Sequence, residues 1–327
     1  MLFLREPSYT TFTINIYDLA LNIVILYAML IEPPVEYIQP VFRPPSEGHS
    51  LILQVTNGCS WNNCTFCEMY TAPQKKFAPK AKDKVIEEIK RCGEELVKTR
   101  RVFLGDGDAM TLSFNRLKEI LEAINEHLPS VTRISAYCLP RNLKNKTLEE
   151  LKTLRELGLS LIYIGAESGD NTVLEKINKG ETFESTRGAI LKAKEAGIKS
   201  SVMIINGMGG KEFSKQHAIN SAKLVNATQP DYLATLVLFF SGGKEKVEAG
   251  FGGNFTPLNT AELCEEIRIF IEHTELDKSI FRSDHVSNHL VLKGVLGRDK
   301  QAMLEEIDDA IEHFRAHPEI QHHPSSF

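Results

Sequence analysis

The sequence of 327 residues lacks the features that mark several classes of protein. Its 38 Lys and Arg residues do not outnumber its 43 Asp and Glu residues, so the net charge of −5 provides no global basic field for nucleic acid. Only six cysteines are present, and three of them crowd into one short stretch, which is the wrong distribution for a secreted disulfide scaffold. Hydrophobic residues at 42% and charged residues at 25% exclude a disordered tail, a fibre or a multi-span membrane protein.

Long hydrophobic runs are also scarce, and the one from Phe12 to Ile31 is interrupted by polar residues, including Asp18. An aspartate near the centre of a bilayer costs about 2.5–3.5 kcal/mol, which argues against a membrane anchor. The alternatives are a docking helix or strand, or an upstream extension with the natural start at Met29. Five prolines between positions 33 and 45 then predict a stiff, extended linker and a domain boundary near His49.

From Leu51 onward, short β-branched runs alternate with amphipathic helical patterns, which predicts βα units and a parallel sheet. The predicted strands are Leu51–Thr56, Arg101–Leu104, Arg133–Cys138, Leu161–Gly165, Ser201–Ile205 and Tyr232–Phe239. The predicted helices between them are Lys82–Val97, Ser113–Leu128, Thr147–Leu157, Phe183–Ala196 and Ser214–Val225. Because such crossovers are right-handed, the fold class is predicted to be α/β: a partial TIM-type barrel of six βα units with a mainly helical C-terminal extension.

The texture of the sequence changes after Phe240, where a Gly-rich irregular stretch precedes two further helical patterns, Thr260–His273 and Lys300–His313. We therefore predict three parts: an N-terminal extension and linker at 1–48, a barrel at 49–240, and a C-terminal substrate-side region at 241–327. Within the last part, His285 and His289 would share one face if their stretch were helical, and a second metal site, a proton-transfer pair, or packing and capping are the alternatives.

The chemistry concentrates in the loop after the first predicted strand, where Cys59, Cys64 and Cys67 lie within nine residues. Structural zinc sites usually use four protein ligands, often from two separated Cys-x-x-Cys pairs, and the sequence has no second pair downstream. Three cysteines without a fourth fit a cubane iron–sulfur cluster with one iron left open. A zinc site with three cysteines and either His49 or His217 is the alternative.

Further polar and Gly-rich motifs follow later strands, at the end where barrel enzymes place their sites. They are Gly105-Asp106-Gly107-Asp108, then Glu167-Ser168, and then Asn206-Gly207. Glycines let the backbone approach a ligand closely, and a carboxylate can accept hydrogen bonds from ribose hydroxyls or an ammonium group. The alternatives are a plain tight turn for the first motif, a salt bridge to a lysine on the barrel rim for Glu167, and ligand-free glycine flexibility for the third.

The cysteine loop resembles the cluster-binding loop of the radical S-adenosylmethionine (SAM) superfamily, although four residues rather than three separate the first two cysteines. Phe66 before the third cysteine is also similar to that family. The Glu167-Ser168-Gly169 strand end resembles the coproporphyrinogen-oxidase-like and methylthiotransferase-like branch. The resemblance extends over roughly 51–240.

The resemblance implies that Cys59, Cys64 and Cys67 hold a 4Fe–4S cluster whose open iron binds the methionine moiety of SAM. It implies that the other motifs contact the cofactor, with Asp106 and Asp108 as alternatives for its amino group. The implied cofactor-binding residues are Phe66, Gly105, Asp106, Gly107, Asp108, Glu167, Ser168, Asn206 and Gly207. The implied reaction is reductive cleavage of SAM to a 5′-deoxyadenosyl radical that abstracts hydrogen from a substrate, fed by an external flavodoxin- or ferredoxin-type electron donor.

Two other functions compete with that expectation. The protein could be a non-catalytic iron–sulfur or zinc protein, or a polar methyltransferase that needs no thiolates. Lys75, Lys76, Lys80, Lys82 and Lys84 form a local basic stretch that could receive an anion or an RNA backbone, although a solvated face is favoured and no RNA-binding fold accompanies it. Free cysteines and an oxygen-labile cluster predict a reducing cytoplasm. The substrate and the catalytic residues that act on it have no readable motif.

Overall fold

The computed structural model describes residues 34–95, 98–240 and 242–320. Its strands are β1 Leu51–Gln54, β2 Thr56–Asn57, β3 Ala78–Pro79, β4 Arg101–Gly105, β5 Arg133–Tyr137, β6 Leu159–Glu167, β7 Lys199–Asn206, β8 Tyr232–Val237, β9 Ile280–Arg282 and β10 Lys293–Val295. Its helices are α1 Lys82–Glu94, α2 Phe114–His127, α3 Pro140–Lys144, α4 Leu148–Glu156, α5 Asn171–Lys176, α6 Phe183–Glu195, α7 Gly210–Thr228, α8 Glu245–Gly250, α9 Thr260–Glu272 and α10 Leu296–Ala316.

Eight strands form one sheet in the order β1-β4-β5-β6-β7-β8-β9-β10. All neighbouring pairs from β1 to β9 are parallel, and β10 runs antiparallel to β9. The predicted α/β class, its six parallel strands and its helical C-terminal part are confirmed, whereas β9 and β10 were missed. Each is only three residues long, too short for an alternating pattern to register.

The two faces of the strands carry different side chains. Residues such as Leu53, Val102 and Ile162 point to the helices and join the main apolar core. On the opposite face, Phe103 and Tyr163 are buried with strand residues alone, which makes this the inner face of the partial barrel. The rings of Phe103, Tyr137 and Tyr163 meet edge to face with centroids 5.1–6.1 Å apart. This aromatic layer fills the barrel between its two ends.

Local sequence signals account for several helix starts. The predicted capping box at the start of α4 is present: the Thr147 side chain accepts from the Glu150 amide at 3.1 Å, and the Glu150 carboxylate accepts from the Thr147 amide at 2.7 Å. Helix α7 starts at Gly210, four residues before the predicted Ser214, so the turn after β7 runs directly into the helix. Helix α7 therefore begins at the carboxyl end of the parallel strands, where barrel enzymes place their sites.

The segment before β1 packs on the barrel. Val35 is buried in the main core, and Glu47, in a short 3-10 helix, is fully buried at the end of the barrel where the strands begin. The division into 1–48, 49–240 and 241–327 stays a prediction. The hydrophobic run at 12–31 and the possible start at Met29 lie outside the described residues. None of the helices in the described ranges combines the length and the hydrophobicity that a membrane span requires.

Candidate functional site

The cysteine loop begins where β1 and β2 end, at the carboxyl edge of the sheet. Strand β2 pairs with β3, so the chain between Asn57 and Ala78 forms a long loop whose two ends are held together by this pairing. Cys59, Cys64 and Cys67 are all free thiols and all partly exposed. The other three cysteines of the chain are buried. The three thiols of the loop are therefore the ones available for a metal centre.

Burial and the charge of Lys179 act on the pKa of both Cys64 and Cys67. Burial raises the pKa of Cys64 to about 12, and the nearby Lys179 ammonium opposes that shift. Burial also raises the pKa of Cys67, while a backbone hydrogen bond from Met69 and the charge of Lys179 lower it. Both thiols interact electrostatically with Cys59. Ligation of a metal would displace these protons, and Lys179 would partly balance the resulting negative charge.

The donor set fits an iron–sulfur cluster better than a single zinc ion. Within the described ranges, no group of three or more His, Cys, Asp or Glu side chains is placed to hold one metal ion. A cubane takes one thiolate for each iron, so its ligands surround a cluster rather than converge on a point. The zinc alternative had His49 or His217 as its fourth donor. His49 is exposed just before β1, at the end of the barrel opposite the cysteine loop. His217 is 1% exposed, and both of its ring nitrogens are bonded, Nδ1 to Ser168 at 2.7 Å and Nε2 to the Ile205 carbonyl at 3.1 Å.

The two aspartates after β4 have different surroundings. Asp106 is fully buried and forms an ion pair with the fully buried Lys75. Its carboxylate also accepts hydrogen bonds from Tyr70 at 3.1 Å and Gln54 at 3.3 Å, so both of its oxygens are bonded inside the protein. This network attaches the cysteine loop to the Gly105–Asp108 turn.

Asp108, by contrast, has one carboxylate oxygen to spare. Its Oδ2 accepts a hydrogen bond from Ser60 of the cysteine loop, and its buried Oδ1 has no hydrogen-bond partner in the described part of the chain. Burial raises the pKa of Asp108, and the nearby polar side chains of Ser60 and Asn142 oppose that shift. A buried carboxylate oxygen without a donor is rare in a folded protein and points to a missing ligand.

Glu167 ends β6 at an irregularity in the sheet. The pairing with β7 shifts by one residue between Gly165 and Glu167, and Glu167 has a φ of 63° in the left-handed region. Its carboxylate folds back over Gly165, where any Cβ would collide with Oε1. The bulge and the glycine together aim the carboxylate towards the mouth of the barrel.

Lys179 supplies the partner of Glu167, which bears out the rim salt bridge that the sequence left open. Its Nζ lies 2.8 Å from Oε1, and both side chains are less than 10% exposed. Burial disfavours the charged amine, but the Glu167 carboxylate outweighs it and raises the pKa of Lys179. The second carboxylate oxygen, Oε2, is buried and has no partner among the described residues. Glu167 is therefore half-satisfied, as Asp108 is.

The neighbouring motif residues have mainly internal partners. The Ser168 hydroxyl bonds His217 and accepts from the Asp170 amide at 2.9 Å. After β7, the Gly207 amide donates to the buried Glu266 at 2.5 Å. Asn206, the last residue of β7, is 4% exposed. The role of Ser168, Asn206 and Gly207 in cofactor binding stays a prediction.

Phe66 joins the cysteine loop to a second apolar cluster, which contains Phe251 and Phe255. These two residues belong to the segment 242–256, which we call the strap. The strap also contacts the loop by an ion pair between Lys246 and Glu68, at 2.7 Å. Phe66 thus helps to cover the cysteine loop on one side.

Two weaker motifs can also be placed. In the basic stretch, Lys76 and Lys82 are exposed, as expected for a solvated face. Lys75 is buried against Asp106, and Lys80, Lys82 and Lys84 each pair with a glutamate at 2.5–2.8 Å, which leaves little free charge for an anion or an RNA backbone. The stretch that holds His285 and His289 is a loop rather than a helix. His285 bonds Ser287 at 2.8 Å within that loop, and the ring of His289 contacts Phe314.

Comparisons with known proteins agree with this geometry. The sequence model of the radical SAM superfamily matches residues 53–225, more than half of the chain. A heme chaperone of Bacillus subtilis (strain 168) is 25% identical over 171 residues, covering 50% of this chain and 45% of the relative. A putative methylthiotransferase of Methanocaldococcus jannaschii is 26% identical over 223 residues, covering 67% of this chain and 44% of the relative. The chain thus spans a little under half of the length of these curated relatives.

A solved structure shares the fold. The radical SAM methyltransferase TsrM from Kitasatospora setae, determined with tryptophan and a SAM analogue, has a TM-score of 0.54 at 14% identity, covering 88% of this chain and 67% of that one. The carboxyl-edge cysteine loop on a partial parallel barrel, together with the match to the family, defines the class. The chain belongs to the radical SAM superfamily. Its cofactors are accordingly a 4Fe–4S cluster and SAM.

Proposed function

We propose that this protein is a radical SAM enzyme in which Cys59, Cys64 and Cys67 ligate three irons of the cluster, and in which the half-satisfied carboxylates bind SAM beside it. When bound, the cluster and SAM supply one-electron cleavage of the S–C5′ bond and a 5′-deoxyadenosyl radical. The substrate is a small molecule from which that radical removes hydrogen. An external one-electron donor of the flavodoxin or ferredoxin type is required, because the chain has no second cysteine cluster.

Three buried carboxylate oxygens in the described chain have no hydrogen-bond partner: Asp108 Oδ1, Glu167 Oε2 and Glu266 Oε2. The observation that carries the proposal is that two of them, on Asp108 and Glu167, lie next to the cysteine loop, whereas Glu266 belongs to α9 and is bonded to the Gly207 amide. Leaving such an oxygen without a donor costs about 1–3 kcal/mol, so a ligand that supplies N–H or O–H groups would recover that loss. SAM carries an ammonium group and two ribose hydroxyls, which are donors of the right kind. Both carboxylates are tied to the cysteine loop: Asp108 through Ser60, and Glu167 through the electrostatic contact of Lys179 with Cys64.

The remaining groups have complementary tasks. Lys179 is held cationic by Glu167 and uses one N–H in that bond, so its other N–H groups can bind the cofactor carboxylate. Of the two aspartates, we assign the cofactor amino group to Asp108, because Lys75 neutralises Asp106. Phe66 and its apolar neighbours exclude water from the side of the cluster. Asn206, at the carboxyl end of β7, offers its side-chain amide to the adenine or ribose.

The test is anaerobic reconstitution of the full chain with iron and sulfide, followed by dithionite and SAM. We expect cluster uptake and formation of 5′-deoxyadenosine in the wild type. Cys64→Ala should abolish the product, because one iron loses its ligand. Cys264→Ala removes a buried thiol from α9 and is the matched control, which should keep both the iron and the product. A wild type that takes up no iron, or a Cys64→Ala variant with unchanged product, would contradict the proposal.

A further inference from the structure

The one tryptophan of the sequence lies in the part of the cysteine loop that holds the extra residue. Between Cys59 and Cys64, Asn62 has a φ of 44°, a left-handed conformation that asparagine tolerates better than most residues. Its side-chain amide donates to the Tyr70 carbonyl at 3.0 Å, which fixes the bend. Trp61 directly precedes this bend. The longer spacing is therefore built into a defined turn.

The Trp61 side chain fits a specific pocket formed by α3 and the turn at 177–181. The indole Nε1 donates to the Asn178 carbonyl at 2.8 Å, and the Arg141 guanidinium lies 4.2 Å from the ring centroid. Arg141 is held in turn by Glu181 at 2.7 Å. Gly180 makes room, since a Cβ there would approach both the indole ring and the guanidinium within 2.6 Å. The pocket uses the polar edge and the face of the indole, which an ordinary apolar ring does not supply.

Two further bonds join the same pieces of chain. The Asn178 side chain donates to the Asn63 carbonyl at 3.0 Å, and the Thr65 amide donates to the Ile177 carbonyl at 3.0 Å. The turn at 177–181 also carries Lys179, which pairs with Glu167. The cysteine loop and the charged pair are therefore connected through one short turn, and Trp61 contacts both that turn and Arg141 of α3.

We propose that Trp61 is a positioning residue that fastens the cysteine loop to the turn carrying Lys179, and so fixes the cluster ligands relative to the groups that receive SAM. This inference rests on the proposed function. Mutation of residues that hold metal ligands in place typically costs 10- to 100-fold in metal affinity or activity, and we expect an effect of similar size here. The effect here falls on SAM, because the three cysteines remain present in any Trp61 variant.

Two measurements test the proposal on the full chain. The first is the SAM dissociation constant of the reconstituted, cluster-loaded protein, measured by equilibrium dialysis. We expect Trp61→Ala to weaken SAM binding about 10- to 100-fold with unchanged iron content. Trp61→Phe keeps a ring under Arg141 but loses the N–H bond, so it should fall between Trp61→Ala and the wild type. Phe314→Ala, which removes a partly buried ring from α10, is the control and should leave SAM affinity unchanged.

The second measurement is hydrogen exchange of the metal-free chain, which does not depend on the cluster. Trp61→Ala should speed exchange in residues 59–67 and 177–181 together, and Phe314→Ala should speed neither. Wild-type SAM affinity in Trp61→Ala, or faster exchange in only one of the two segments, would overturn the proposal. Failure of the proposed function looks different: the wild type itself would take up no iron, while the exchange result would still decide whether Trp61 couples the segments.

Discussion

The two ends of the barrel treat a buried carboxylate in opposite ways. At the end where the strands begin, Glu47 accepts hydrogen bonds from Arg133 at 2.7 Å, Ser135 at 3.0 Å and Tyr163 at 2.5 Å, and from Ser50. Burial alone would raise the pKa of Glu47, but these partners lower it. At the other end, Glu167 has one bonded oxygen and one without a partner in the described chain.

This difference separates structure from function within one barrel. A buried carboxylate whose oxygens all accept hydrogen bonds stabilises the end of the barrel where it lies and has no capacity left for a ligand. A carboxylate left half-satisfied in an equally buried position retains capacity for a ligand. The same contrast recurs over two residues in the Gly105–Asp108 turn, where Asp106 is satisfied and Asp108 is not. The comparison can be tested by neutralising each member of a pair.

The largest effect on folding is expected from the aspartate pair. Asp106→Asn leaves the charge of Lys75 buried without its counter-ion, which should lower the free energy of unfolding by about 3–5 kcal/mol. Asp108→Asn keeps a hydrogen-bonding side chain next to Ser60 and removes no buried ion pair, so its loss should be much smaller. Denaturant unfolding of both metal-free variants measures the difference. Equal losses would show that the two aspartates do not differ as the geometry indicates.

When SAM binding is measured, the two aspartate variants should show the opposite order, with the larger effect in Asp108→Asn. Asp108→Asn removes the charge opposite the cofactor amino group, and a charge-assisted hydrogen bond contributes about 1.5–3 kcal/mol, or roughly 10- to 150-fold in the dissociation constant. Asp106→Asn should retain SAM affinity wherever it still folds. Equilibrium dialysis on cluster-loaded protein decides between them. Unchanged affinity in Asp108→Asn would remove this residue from the site.

Glu47→Gln and Glu167→Gln should differ less in the free energy of unfolding than the two aspartate variants do, but they should differ clearly in SAM binding. Glu47→Gln should cost about 1–3 kcal/mol of folding free energy, because its donors lose a charged acceptor, and SAM affinity should not change. Glu167→Gln also destabilises the fold, because Lys179 loses its counter-ion, but it should weaken SAM binding as well. Thermal unfolding with and without saturating SAM separates these effects: the stabilisation by SAM should persist in Glu47→Gln and shrink in Glu167→Gln.

The smallest effect is expected at the strap. Lys246 pairs with Glu68, but its side chain is 60% exposed, and exposed ion pairs contribute about 0–1 kcal/mol. Lys246→Met should therefore leave the unfolding free energy within about 1 kcal/mol of the wild type. Denaturant unfolding at low and high salt measures it. A larger loss that shrinks at high salt would mean that the strap is fixed by this pair rather than by the apolar cluster around Phe66.

Much of the fold was predictable because its signals are local. The six parallel strands appear as short β-branched runs, and the capping box at Thr147 marks a helix start from four consecutive residues. The cysteine loop was also visible from spacing alone. These features depend on side chains only a few positions apart, which is the range over which sequence patterns act.

The features that could not be predicted depend on contacts distant in sequence or on backbone geometry. Lys75 reads as a solvated lysine among other lysines, and only the turn that brings Asp106 beside it explains its burial. The left-handed backbone of Glu167 follows from a sheet irregularity that no residue pattern announces. The Trp61 pocket joins residues more than 75 positions apart. The sequence could therefore locate the site without revealing which of its charged groups are free to bind.

The central claim is that SAM binds at this end of the barrel in contact with the cluster held by the cysteine loop. The most direct test is electron–nuclear double resonance of the reduced, cluster-loaded wild type, with SAM labelled by ¹⁵N at the methionine amino group and ¹⁷O at its carboxylate. We predict hyperfine couplings from both labels to the cluster, with both lost in Cys64→Ala. A reduced cluster whose spectrum shows no coupling to either label would contradict the account.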